Sequence, residues 1–170
     1  MKRKRSGEHG GSTFLEFVLV GVPVIFIMFS TFEMARGMWS YHSLAYAVRE
    51  GTRYAIVHGS DCTSSPNSCT VTVANIATVI KNAGVGLDGS QLSLTFTPNT
   101  GSAITCTMST CLTNNTQWPP SGANSIGMTV QISANYPFRS GIAFFFPGNS
   151  ATGSMPAMNF PAMSKDLIQF

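Results

Sequence analysis

Few side chains in this sequence are placed to do chemistry. The 170 residues hold three histidines, four cysteines and seven carboxylates. His9 lies in a polar N-terminal stretch, while His42 and His58 fall along or at the end of a helical pattern. None sits in an HExxH arrangement, and no GxSxG, P-loop or GxGxxG fingerprint occurs. An enzyme is therefore not expected, nor is a cofactor. Cys62 and Cys69 are seven residues apart and Cys106 and Cys111 five. Neither pair has the two-residue gap of a zinc knuckle or a histidine beside it, so no metal site is expected. The unusual group is Glu16, two residues inside an apolar run from Phe14 to Phe32 in which it is the one ionisable residue. An ion there either sits at a headgroup boundary, where charge is tolerated, or is neutralised by a partner inside an apolar bundle.

The element that positions Glu16 is a stretch from Ser12 to His58. About 20 apolar residues cross the hydrocarbon at 1.5 Å rise per residue, so 14–32 is just long enough to span a membrane. Gly21 and Pro23 are tolerated in such a span, although Pro23 removes one backbone hydrogen bond. Beyond it Met34, Met38, Tyr41, Ala45, Val48, Thr52 and Ala55 recur at steps of four and three, with Arg36, Arg49, Glu50 and Arg53 mostly between them. That period predicts a continuing amphipathic helix with this stripe as its packing face. Unbroken, the helix is roughly 70 Å long, and only about half fits in a bilayer. Glu16 and Glu33 are seventeen residues apart, or about 25 Å on a helix, and could equally mark the two edges of the hydrocarbon. Arg49 and Arg53 are one helical turn apart, with Glu50 beside them; such charges form either a solvated face or a subunit contact.

Charge sets the orientation and excludes one class of partner. Lys2, Arg3, Lys4 and Arg5 against Glu8 place the whole net charge of +3 in the first eleven residues, leaving residues 12–170 with six charges of each sign. A balanced body lacks the clustered cations that nucleic acid requires. The basic end stays in the cytoplasm and the remainder lies outside. A cleaved secretory signal is the rival reading; the apolar run is longer than a typical signal core, and no small-x-small site follows it.

Counted from Ser12, Glu16 is the fifth residue, followed by Phe17. A short basic leader ending in glycine, four residues, a glutamate, an aromatic and a long apolar helix together resemble a type IV prepilin processing site. More fully, the chain resembles the TadE-like proteins, minor pseudopilins of bacterial tight-adherence (Tad) pilus systems. The matching residues are Glu16-Phe17, Val18-Leu19-Val20 and Pro23, then Phe32-Glu33 with Arg36. The last is Ala47 to Ala55, AVREGTRYA, which looks like the family's REGARYA segment with Thr52 in place of alanine. The resemblance implies cleavage between Gly11 and Ser12 by a prepilin peptidase and an assembly or register role for Glu16 and Phe17. It makes Glu33, Arg36, Arg49, Glu50 and Arg53 possible subunit contacts, and it implies other pilins, pseudopilins and the Tad machinery as partners. The chain would be a single-pass protein of the bacterial cytoplasmic membrane. Two other functions compete: a single-span anchor carrying an extracytoplasmic binding domain, and a minor pseudopilin of a type II secretion system.

The expected organisation is a leader at 1–11, a long helix at 12–58 and a disulfide-bonded extracytoplasmic α+β domain at 59–170. Outside the cytoplasm the four cysteines read as two disulfides. The local pairs Cys62 with Cys69 and Cys106 with Cys111 are favoured, because each closes a short turn-rich loop. Thr70 to Ala83 is ambiguous: its start, TVTVA, alternates like a strand, while Ile76, Val79, Ile80 and Ala83 follow helix spacing, and a short amphipathic helix ending at Gly84 is favoured. Gln91 to Thr97 predicts a strand, Ala103 to Leu112 a second arm interrupted by its cysteines, and Ser125 to Tyr136 a strand ended by Pro137. Ile142 to Phe146 is an aromatic run of core or sticky character, and Ala162 to Phe170 suggests an edge strand. The fold class is α+β, pilin-like: a long N-terminal helix packed on a small antiparallel sheet that covers Met34 to Ala55.

Overall fold

The computed structural model describes residues 10–59, 71–141 and 157–169. Residues 1–9 of the leader, Cys62 with Cys69, and the aromatic run Ile142 to Phe146 lie outside the described residues.

Helix α1 spans Gly10–Ile56 and carries Pro23 within it. Its N-terminal part is long and apolar enough to cross a membrane, and no other described segment packs on it. From Phe14 to Phe32 every side chain except the half-buried Gly21 is exposed. Thr31 donates to the Ile27 carbonyl at 2.9 Å, keeping its hydroxyl satisfied within the helix.

The rest of α1 is the spine of an α+β fold. Helix α2, Val73–Ala83, starts at Thr72, whose side chain caps the Asn75 N–H. It ends where Gly84 N–H returns to the Ile80 carbonyl at 2.9 Å. Its buried residues Val73, Ile76, Ala77 and Ile80 follow helical spacing. Strand β1 is Ser93–Pro98, β2 is Ile104–Thr107, β3 is Thr129–Phe138 and β4 is Met158–Leu167. They form one antiparallel sheet in the order β2-β1-β3-β4. Leu94 pairs with Ala134, Phe96 with Ile132, and Ala134 with Ala162 across β4. These inward residues meet Leu44, Val48 and Ile56 of α1, Ile76 and Ile80 of α2, and Trp118 in one core. The Phe96 and Trp118 rings lie edge to face at 5.3 Å. Past β4, Gln169 N–H donates to the Ile56 carbonyl, tying the sheet's last strand to the end of α1.

Four expectations are corrected. The expected packing stripe of α1 fails at its start, where Met34, Met38 and Tyr41 are exposed; further along, Ala45 is half-buried against the core and Val48, Thr52 and Ala55 are buried. The buried seam is Gly37, Ser40, Leu44, Ala47, Val48, Gly51, Thr52, Ala55 and Ile56. Small residues win because the sheet and α2 approach the helix closely. A Cβ on Gly37 would touch Phe138 and Phe160, and one on Gly51 would lie 2.5 Å from Ile80 Cγ1. Second, the arm at 103–112 is strand only to Thr107 and then turns into a short helix α3, Met108–Cys111. Third, β3 continues through Pro137 to Phe138. There it has passed the end of β1 and pairs only with β4, so the missing N–H leaves no ladder bond unmade. Fourth, β4 begins at Met158 and contains Pro161, tolerable because β4 is an edge strand.

Candidate functional site

The strongest polar constellation lies where α1 leaves its membrane-length run. Glu33 Oε2 accepts from the Gly141 N–H at 2.9 Å, the Ser140 hydroxyl at 3.0 Å and Arg36 Nη2 at 3.1 Å. The same Arg36 nitrogen donates to the Arg139 carbonyl, and its guanidinium lies 4.8 Å from the centre of the Phe138 ring. Phe138 stacks on Phe160 at 5.1 Å, and Tyr41 meets Phe160 edge to face. One helical turn thus grips the end of β3 and the start of β4. Partial burial works to raise the Glu33 carboxyl; the Gly141 N–H, the Ser140 hydroxyl and Arg36 outweigh it and hold it below its ordinary value of 4.5. A carboxylate with three donors and an arginine with two acceptors form a fixed clamp rather than a reactive pair.

The second constellation is at the far end of α1. Arg53, exposed, pairs with the half-buried Glu50 at 3.4 Å. Arg49 and Arg53 line an open cavity of about 580 Å³ together with Val57, Met163, Lys165 and Asp166. Between them Gly51 and Thr52 face inward, and the Thr52 hydroxyl returns to the Val48 carbonyl at 3.0 Å. The residues that look like a family segment therefore split by function. Gly51 builds the crossing with α2, Thr52 is buried beside it, and Arg49 and Arg53 face out.

Glu16 and Phe17 are exposed on the apolar half of α1, and no described residue bonds the Glu16 carboxylate. Gly11 and Ser12 lie in the first turn of the helix. Cys106 and Cys111 form a disulfide across the β2–α3 turn. The structure unites Glu33 with Arg36, and Arg49 with Arg53, but separates these two groups by more than three helical turns.

Several participants were not singled out from sequence: Gly37, Trp39, Phe138, Arg139, Ser140, Gly141 and Phe160. The polar turn that follows Pro137 was the available signal for the clamp's second half. Its pairing with Glu33 spans 108 residues and leaves no local pattern.

Beyond the clamp the outward face of α1 is largely apolar, interrupted by the exposed His42. Between Arg36 and Arg49 the chain has no Asp, Glu, Lys or Arg. Met34 is 73% exposed, Met38 61%, Trp39 63% and Tyr46 57%. Large apolar side chains therefore remain uncovered for three helical turns past the hydrocarbon-length run.

Comparison with known families gives one match: residues 11–53 fit the family model of TadE-like proteins. The matched span begins at the glycine before Ser12 and ends at Arg53, covering Glu16, the clamp pair and the Arg49–Arg53 segment. No curated protein and no solved structure matches the chain.

Proposed function

From the premise that α1 is a TadE-like, Tad pilus-associated segment, we propose that this chain is a structural minor pseudopilin that helps assemble or prime a Tad-type pilus used in adherence. The observation that carries this reading is the uncovered apolar face of Met34, Met38, Trp39 and Tyr46. A plain anchor needs apolar surface only inside the bilayer. A subunit drawn out of the bilayer into a bundle needs it along the whole helix.

In this reading a prepilin peptidase cuts between Gly11 and Ser12 in the cytoplasmic membrane, and the domain beyond α1 lies outside. The new Ser12 ammonium of one subunit pairs with Glu16 of the next, which offsets the penalty of an ion among apolar helices. Four residues separate the two groups, so neighbouring helices would be offset axially by about 6 Å. Phe17 packs beside that pair. The clamp at Glu33 and Arg36 fixes the outer domain against the helix, so that register set inside the membrane is transmitted to the sheet. Arg49 and Arg53 offer a polar contact at the distal end. Extraction from the bilayer is the work of an assembly motor that the chain does not contain.

The test compares Glu16→Ala with Met38→Ser in a piliated host. Both variants should accumulate in membranes at the wild-type level and lose piliation. A piliated Glu16→Ala strain would reject the register role, and wild-type pili in both strains would reject assembly altogether in favour of a single-span binding domain.

A further inference from the structure

A cavity of about 230 Å³ opens beside the clamp, between α1, the end of β3 and the connection from α2 to β1. Arg36, Ser40, Asp88, Gln91, Tyr136 and Arg139 give it its polar lining. Its height along α1 is fixed by the helix. Phe14 to Phe32 covers about 27 Å, close to the hydrocarbon thickness, so Arg36 lies about 6 Å past the last residue of that run and Ser40 about 12 Å. The lower part of the cavity is therefore level with phospholipid phosphates. Exposed Trp39 and Tyr41 flank it on the helix, the amphipathic ring types that settle at such a boundary.

We propose that this cavity receives the phosphate of an anionic phospholipid headgroup from the outer surface of the bilayer. Two guanidinium side chains face one carboxylate in its lining, and guanidinium is the group best matched to phosphate oxygens. Arg36 is already held by the Glu33 carboxylate, the Arg139 carbonyl and the Phe138 ring, so it is preorganised. The Glu33 carboxylate and the Arg36 guanidinium offset each other's charge, so Arg36 offers a fixed donor and Arg139 supplies the unbalanced cation. Arg139 is exposed and no described residue pairs with its guanidinium. Asp88, the carboxylate of the lining, is engaged by the hydroxyl and N–H of Ser90. The hydroxyls of Ser40 and Tyr136 and the amide of Gln91 add donors. The volume lies below the usual range for a whole small-molecule ligand and suits a headgroup alone, the acyl chains staying in the hydrocarbon beside α1. A headgroup without an amine is favoured because Arg139 is the lining cation that no described carboxylate pairs, and an ammonium beside it would be repelled.

This inference rests on the membrane placement of α1 and not on pilus assembly. The full chain is reconstituted in nanodiscs of equal phosphatidylglycerol and phosphatidylcholine, and the lipid that remains bound is read by native mass spectrometry. Wild type should retain phosphatidylglycerol preferentially. Arg139→Gln should reduce that retention about fivefold, the worth of one cation near an anionic surface. Asp88→Asn, which keeps the acceptor for Ser90, should increase it, a gain that misfolding would not produce. Equal retention of both lipids by wild type, or an Arg139→Gln variant that behaves as wild type, would overturn the proposal. A parallel arm titrates inorganic phosphate into the lipid-free protein in detergent: stabilisation there without phosphatidylglycerol preference would assign the cavity to a soluble anion and also overturn it. Carbonate extraction of the host membranes from which the chain is purified separates the premises. A wild-type chain that fails to stay in membranes refutes the placement of α1, whereas an integrated chain without lipid preference refutes only the cavity.

Discussion

Gly51 and Gly37 lie on the same helical seam, and substitution by alanine should have opposite outcomes at the two positions. At Gly51 a new Cβ would lie 2.5 Å from Ile80 Cγ1, 2.8 Å from Ile80 Cδ1 and 3.5 Å from Ile76 Cγ2. Ile76 and Ile80 are fully buried on α2, so neither can swing into solvent. Overpacking of this kind costs about 1–3 kcal/mol, and a contact this short belongs at the upper end. The helix itself gains about 1 kcal/mol when glycine becomes alanine. Gly51→Ala should therefore destabilise by about 2 kcal/mol. At Gly37 the nearest atoms, on Phe138 and Phe160, would be 3.6–3.8 Å away, which is ordinary contact. Only the propensity gain remains there, so Gly37→Ala should be stabilising by up to about 1 kcal/mol. Comparing the variants cancels the propensity contribution, which both share, and leaves a difference of about 3 kcal/mol due to packing. Urea titration of the full chain in detergent, followed through Trp118 in a Trp39→Phe background, reads both, since Trp118 is buried beside Phe96. Gly51→Ala as stable as Gly37→Ala would refute the close crossing of α1 and α2.

Two further outcomes follow from the clamp and the disulfide. Because the Glu33 carboxyl is held below its ordinary value, its stabilising contribution is complete above that value and is lost as pH falls through the depressed one. The protection factor of the Gly141 amide, its exchange rate relative to the intrinsic rate at the same pH, should thus fall as pH drops through the depressed Glu33 value in wild type, and already be low at neutral pH in Glu33→Ala; a protection factor unchanged by acid would contradict the clamp. Replacing both Cys106 and Cys111 by alanine removes a small covalent loop, and should lower stability by about 2 kcal/mol while leaving the β1–β3 pairing protected from exchange.

How far the sequence could be read depended on whether a residue's partner was local. The long helix, α2 with its Gly84 stop, and β1 with its alternating Leu94 and Phe96 are periodic within a few residues, and the periods set their type. The α+β class followed from those elements. The packing face of α1 did not follow, because from Met34 to Val48 the helix is apolar nearly all round and periodicity cannot choose a side. The choice is made by what approaches it. Gly37, Ala47 and Gly51 admit the sheet and α2, while Met34, Met38 and Trp39 are too large for that seam and face out. Pro137 looked like a strand end because a proline inside a sheet usually breaks a ladder; β3 continues because only β4 flanks it there. Glu33 and Arg36 were legible as a family-like pair, but their bonds to Arg139, Ser140 and Gly141 are set by the return of β3 to the helix more than 100 residues later.

The most direct test of the pseudopilin account is the N-terminal sequence and intact mass of the protein purified from membranes of a host that carries a matching prepilin peptidase. The account expects a chain beginning at Ser12, with the free amine that Glu16 requires. A chain still beginning at Met1 would contradict it, because without that amine the carboxylate of Glu16 has no cation to meet inside the bundle.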